Sequence, residues 1–309
     1  MKNLKIYTLL LLMFSNAIIF AQKEKEIKVK SGENELYGSL IKVKKHKNHP
    51  VVLIIAGSGS TDRNGNSAMT QNNAYRLMAK ELAEHNISSL RYDKLGAGKS
   101  IPSNFKEEDL LFENYVDDAE AWLNYLKKQD FGQYIVIGHS EGSMIGMLLT
   151  ARGEVDKFIS IAGAGRPIGD ILLEQLTAQD EKIAEKAKPI IDSLTLGKKV
   201  KDIPLPLMSL FRESVQPFLI SWMQIDPVAV MKKIEVPAMV IQGSTDLQTK
   251  VNDAKSLAQN NGNLLIIEDM NHVLKVSSME RQENFNTYLD PSLPLHEELI
   301  PNIVKFIKE

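Results

Sequence analysis

Ser140 stands between two glycines in Gly138-His139-Ser140-Glu141-Gly142. A serine hydroxyl is a weak nucleophile at neutral pH and needs a base within hydrogen-bond reach, itself oriented by a carboxylate. The context suits a nucleophile. Tyr134 to Ile137 is a short apolar run that reads as a buried strand, and a small-residue, apolar segment with helical spacing continues to Ala151. Strand, sharp turn and helix are the surroundings of a nucleophile elbow. The turn forces strained backbone angles on Ser140, and a Cβ at Gly138 or Gly142 would collide with the neighbouring strand or helix.

With an elbow of this kind the acid and then the base follow the serine in the chain. Of six histidines, only His272 and His296 lie beyond the motif. His296 falls in a Pro-rich entry to the last helix, whereas His272 follows the last strand, so His272 is the candidate base. Asp246, in Gly243-Ser244-Thr245-Asp246 at the end of an apolar strand, is the candidate acid, because active sites collect at the carboxyl ends of sheet strands. Asp226, before Pro227, competes with it. Asp253 falls on a helix, Glu268 within a strand, and Asp269 is too close in sequence to His272 to face its ring. An oxyanion needs two main-chain donors. The expected pair is the N–H of Glu141 and that of Ser58, in the glycine-rich loop after Val51–Ala56.

These residues need a frame, and the hydrophobic pattern supplies one. Residues 25–43 alternate as a hairpin of two half-buried strands, broken by Ser31-Gly32-Glu33-Asn34. Val51 to Ala56 is fully apolar, as in a parallel sheet covered on both faces. Further strands are expected at Ile87–Tyr92, Tyr134–Ile137, Phe158–Ala162, Val236–Gln242 and Leu264–Glu268. Helices are expected at 70–85, Leu110–Leu126, near Lys250–Asn260, and from about Pro294 to Lys308. Between about Pro167 and Met231 no apolar strand occurs, only amphipathic helical stretches (Ile171–Leu194 and Leu207–Trp222), which reads as a helical lid inserted between two core strands.

Three motif matches carry no weight. In the loop after Ala56 the third glycine of a dinucleotide fingerprint is Asp62, a negative charge where a pyrophosphate would lie. Asp93 to Ser100 ends like a phosphate loop, but Asp93 replaces its first glycine and Ile101-Pro102 stops the helix it needs. His46 and His49 have metal-ligand spacing but no third ligand nearby, so a solvated turn is the better reading. No cofactor or metal is implied.

The chain has 309 residues, 43% hydrophobic and 25% charged, with a formal net charge of −2. That is enough for one large domain with an insertion, and no basic patch interleaved with aromatics suggests nucleic acid. Lys2 and Lys5, the apolar run Leu9–Phe20 and a small Ala21 form a secretory signal pattern. Cleavage is expected after Ala21, leaving a mature charge of −4 and no stable membrane insertion; an uncleaved anchor is the alternative. There is no cysteine, hence no lipobox and no disulfide. A periplasmic or secreted bacterial protein is expected.

Four segments together resemble the α/β-hydrolase superfamily: Ala56-Gly57-Ser58-Gly59 with Asp62-Arg63-Asn64-Gly65; Arg91 to Ser100; Gly138 to Gly142; and Gln242 to Gln248 with Asn271-His272. The resemblance covers essentially the whole mature length and is similar to bacterial secreted carboxylesterases and serine-aminopeptidase-like enzymes. It explains the failed phosphate loop, since D-x-x-G-x-G-x-S is that group's strand-to-loop connection. The common His-Gly before the oxyanion residue is Ala56-Gly57 here. It implies a mostly parallel sheet flanked by helices, with core segments 22–166 and 232–309 around a lid at 167–231. It further implies hydrolysis of small-molecule carboxylic esters of short to medium acyl chain through an acyl-enzyme on Ser140. A serine peptidase (aminopeptidase-like) or another acyl-transfer hydrolase of the same fold is the alternative. That alternative would need an acidic anchor for a free amino terminus, such as Glu174 or Glu213 from the lid. Oligomeric state is not readable from the sequence.

Overall fold

The computed structural model of the chain describes residues 24–43, 49–259 and 263–309. The expected signal peptide (1–21), His46 and Asn260 lie outside these residues. Among the described residues eight strands form one sheet: β1 (Glu24–Ser31), β2 (Asn34–Ile41), β3 (Pro50–Ile55), β4 (Ser88–Tyr92), β5 (Gln133–His139), β6 (Lys157–Ile161), β7 (Ala238–Gly243) and β8 (Leu264–Ile267), in the order β1-β2-β4-β3-β5-β6-β7-β8. The hairpin β1–β2 adds antiparallel to β4, and every other pairing is parallel. The swap of β3 and β4 puts β3, β5 and β6 at the centre, where strands must be apolar on both faces.

The two faces can be read from β3 residue by residue. Val51, Leu53 and Ile55 pack on one side with the helix α2 (Phe112–Lys127) and α3 (Glu141–Ala151). Val52, Ile54 and Ala56 pack on the other. There they meet α1 (Ala74–Glu84) and the C-terminal helix (Leu299–Lys308). Between β6 and β7 the chain leaves the sheet for α4 (Ile168–Gln179), α5 (Glu181–Thr195), α6 (Met208–Phe211), α7 (Gln216–Met223) and α8 (Pro227–Met231). The helix α9 (Val251–Ala258) links β7 to β8, α10 (Arg281–Asn286) follows β8, and the C-terminal helix is α11.

Several boundaries differ from the sequence expectation, each for a local reason. The helix expected from residue 70 starts at Ala74, because Asn66 and Asn72 side chains capture the backbone N–H groups of Asn72, Asn73 and Ala74. The stretch Ile171–Leu194 is two helices, broken where Asp180 is extended and caps α5 through the N–H of Lys182. The stretch Leu207–Trp222 breaks at Arg212, also extended. Pro294 to Glu298 is a loop before α11.

Candidate active site

Ser140 sits between the end of β5 and the start of α3 with φ 55° and ψ −119°, a conformation that few residues other than glycine adopt. Its N–H is tied to the Ile161 carbonyl at 2.9 Å. The neighbouring glycines hold the turn shut. A Cβ on Gly138 would lie 2.1 Å from the Gly142 carbonyl oxygen, and one on Gly142 would lie 2.2 Å from that of Ile55. No rearrangement short of moving the sheet would accommodate either.

The structure brings Asp246 and His272 together. His272 Nδ1 donates to Asp246 Oδ2 at 2.8 Å, which leaves the Nε2 lone pair as the base. Asp246 is fully buried and saturated with donors. Its Oδ2 also accepts from Gln242 Nε2 and Thr249 Oγ1, both at 3.0 Å, and its Oδ1 accepts from the N–H groups of Gln248 and Thr249. Burial alone would raise this carboxyl. The His272 charge and the hydrogen bonds outweigh burial and hold it below the usual carboxylate range. His272 is carried on the turn after β8, where Asn271 Oδ1 accepts from the N–H groups of Val273 and Lys275. His272 and Ser140 border one cavity. The Ser140 hydroxyl makes no hydrogen bond to another described residue, as is common in an unliganded site.

The other candidates lie elsewhere. Asp226 caps α8 through the N–H groups of Val228 and Ala229. Asp253 pairs with Arg166 and accepts from Gly165 N–H. His296 accepts from Glu298 N–H. His49 contacts Ser88 Oγ, and no metal-ligating cluster occurs among the described residues. Asp93, in the failed phosphate loop, accepts from the N–H groups of Arg63 and Lys99 and pairs with the Arg63 guanidinium. A carboxylate there organises the loop.

Two groups that motif reading passed over fix the donors. Neither Ser58 N–H nor Glu141 N–H donates to an acceptor among the described residues, and Glu141 begins α3, where helix N–H groups are unpaired and favour negative charge. Lys94, buried at 1% exposure, donates to the Gly57 carbonyl at 2.6 Å and to the Glu141 carboxylate. In a planar trans peptide the N–H points opposite the carbonyl. Anchoring Gly57 C=O therefore aims Ser58 N–H the other way. On its other side, Gly57 N–H donates to Tyr75 Oη at 2.9 Å. The Tyr75 hydroxyl lies 2.8 Å from His139 Nδ1, and His139 Nε2 lies 2.8 Å from the His272 carbonyl. A carbonyl only accepts, so His139 carries its proton on Nε2 and takes the Tyr75 proton on Nδ1. Burial, reinforced by the His272 charge, pushes the His139 ring down to about 3, so it is neutral. A neutral chain Gly57–Tyr75–His139–His272 thus ties the glycine-rich loop to the histidine turn. The only sequence signals were a lysine closing an apolar strand and a histidine inside the elbow.

Two cavities flank Ser140. One, of about 720 Å³, lies against the helical insertion and is lined by Leu110, Met144, Ile171, Phe218, Leu219 and Trp222, with Arg166, Glu107 and Arg212 among its polar members. The other, of about 230 Å³, is bordered by His272 and by the polar segment before α1.

Sheet order and the strained serine turn are those of the α/β-hydrolase fold, and comparison with known proteins agrees. The family model of serine aminopeptidase, S33, matches residues 69–204, which include Ser140 but neither Asp246 nor His272. Esterase EstD of Thermotoga maritima is 25% identical over 260 residues, 82% of this chain, and the chain spans 60% of that relative's length. Est1E of Butyrivibrio proteoclasticus, solved with ferulic acid, superposes with a TM-score of 0.60 at 17% identity, over 92% of this chain and all of that one. Proline iminopeptidase of Mycobacterium smegmatis gives 0.60 at 14% identity, covering 92% and 98%. These likenesses show the α/β-hydrolase fold.

Proposed function

We propose that the protein is a serine hydrolase of carboxylic esters working through an acyl-enzyme on Ser140. The observation that carries this reading is the His272–Asp246 pair beside a serine in a strained turn, with two main-chain N–H groups unengaged. His272 Nε2 takes the Ser140 proton as Oγ attacks the ester carbonyl, and the Ser58 and Glu141 N–H groups receive the oxyanion. His272 then gives the proton to the departing alcohol. Water repeats the cycle on the acyl-enzyme, releasing the acid and restoring the serine. Asp246 keeps the imidazole in the required tautomer and stabilises its charged form.

The S33 match and the iminopeptidase likeness favour a second reading, an aminopeptidase. Binding an α-ammonium requires an unpaired carboxylate in the cavity. Glu107 is taken by Arg212 and Ser214, Glu141 by Lys94, and Glu174 by Arg166, and the expected anchors Glu174 and Glu213 are not in the cavity wall. This supports esters over peptides. The test is turnover of a p-nitrophenyl ester series beside an aminoacyl-anilide panel, by wild type and Ser140→Ala. Ester turnover that falls by about 10⁴–10⁶ in the variant, with Tm unchanged, is expected. Undiminished turnover by Ser140→Ala would sink the assignment, and anilide cleavage of equal efficiency would move it to the peptidase. The leader pattern at 1–21 supports export to the periplasm or beyond, and N-terminal sequencing of the exported protein should begin at Gln22.

A further inference from the structure

Ser140 and Ser58 border both cavities, and so does Gln248, but His272 borders only the smaller one. Resting on the ester-hydrolase reading above, we infer that the two cavities divide the substrate: the acyl group occupies the apolar cavity under the insertion, and the smaller cavity receives a polyhydroxylated alcohol. The substrate class is thus an ester of an apolar acid with a glycerol- or sugar-type alcohol.

The division follows from the proton. When the tetrahedral intermediate collapses, the carbon–oxygen bond to the alcohol breaks, and the leaving oxygen takes the proton that His272 Nε2 received from Ser140. Proton transfer needs heavy atoms about 2.6–3.2 Å apart. The alcohol must therefore leave on the side that His272 faces. The acyl group stays bonded to Ser140 Oγ and takes the remaining space. That space is walled mostly by apolar side chains, Leu110, Met144, Phe218, Leu219 and Trp222 among them, and its charged members Glu107, Arg166 and Arg212 are taken up in ion pairs, so it offers most to a hydrocarbon.

The smaller cavity has the proportionally more polar wall of the two. Its wall includes Thr61, Ser67, Thr70, Asn72 and Tyr288. Asn72 is 4% exposed; its Oδ1 accepts from Ala74 N–H, and its amide nitrogen has no acceptor among the described residues. The Tyr288 hydroxyl accepts from Gln248 Nε2 at 3.1 Å; burial raises its pKa, so it keeps a proton to donate. Ser67 Oγ accepts from the N–H groups of Met69 and Thr70 and shares a bond of 2.9 Å with Thr70 Oγ1, and Thr61 Oγ1 donates to the Ser58 carbonyl at 3.0 Å, leaving acceptor capacity on Thr70 and Thr61. Donors and acceptors spaced around one small cavity suit several hydroxyls at once. An alkyl alcohol would leave them unpaired, which costs binding.

The experiment compares methyl octanoate, glycerol 1-octanoate and glucose 6-octanoate, with kcat/KM normalised to each ester's hydroxide-catalysed rate. Wild type should prefer a polyol ester to the methyl ester by about tenfold or more, and the better of the two distinguishes glycerol from sugar. Thr70→Val and Tyr288→Phe should lower that ratio by about fivefold without moving the acyl chain-length optimum. Trp222→Ala should move the optimum without moving the ratio. Equal use of methyl and polyol esters would overturn the inference, as would an exchange of the two variants' effects. Failure of the wild type to turn over any ester, or turnover that survives Ser140→Ala, would instead overturn the hydrolase reading, and the division with it.

Discussion

At the residue scale, the group with the most to reveal is Lys94. A buried ion pair gains little over an apolar one, but removing one partner strands the other charge at a cost of about 3–5 kcal/mol. Lys94→Met should therefore destabilise strongly, because the Glu141 carboxylate is left in the interior. Adding Glu141→Gln should restore much of the Tm, measured by calorimetry. It should not restore kcat, since the Gly57 carbonyl stays unheld and Ser58 N–H loses its aim. A kcat loss of about 10²-fold with KM little changed is expected in the double variant. If kcat returned together with stability, Lys94 would be structural only. None of this was legible beforehand. Lys94 and Glu141 are 47 positions apart, and a lysine after a strand ordinarily faces water. Ser140 was legible because its demand is local: two glycines, a strand and a helix, all between Gln133 and Ala151.

At the scale of elements, the two aspartates that competed for the acid's role separate by what surrounds them. Asp226 precedes Pro227 and caps a one-turn helix; Asp246 follows β7 in a nest of donors. Asp226→Ala should cost about 1 kcal/mol, the loss of a cap, with kcat intact. Asp246→Asn should lower kcat by about 10⁴-fold, because the imidazole is then held in the wrong tautomer. Esterase assays and thermal melts on both variants check the pair. Strand positions could be anticipated closely, because apolar runs such as Val51–Ile55 are covered on both faces and admit no other reading. Helix limits in the insertion could not. Apolar spacing continues through Asp180 and Arg212, and only packing reveals that the chain turns there. The start of α1 was obscured for a related reason: side-chain amides of Asn66 and Asn72 compete for the backbone, and composition alone does not say which N–H they capture.

At the scale of the molecule, the neutral histidine in the Gly57–His272 chain sets a pH limit. Free in an unfolded chain, His139 binds a proton below about pH 6.5, whereas the folded ring resists it down to about 3. Stability is therefore whole above pH 6.5 and falls as the pH drops through that window, by up to about 1.4 kcal/mol per pH unit. The acid-pair contribution of Asp246 is lost only lower, below the ordinary carboxylate value of 3.8. His139→Gln, whose amide can still donate to His272 and accept from Tyr75, should flatten the fall in Tm between pH 6.5 and 4. An identical slope in both proteins would place the acid sensitivity elsewhere.

The insertion leaves the sheet after β6 and returns at β7, and these two strands are hydrogen-bonded neighbours, Phe158 beside Ala238. Its two ends are thus close in space, whatever lies between them. A segment joined this way can lengthen or shorten at little entropic cost to the frame, because loop closure grows only with the logarithm of length. Ser140, Asp246 and His272 all stand outside it, on turns that follow the strands β5, β7 and β8. On the ester-hydrolase reading, the chemistry and the choice of acyl group could then be inherited separately. A descendant could exchange residues 167–231 wholesale and change its diet without touching its reaction.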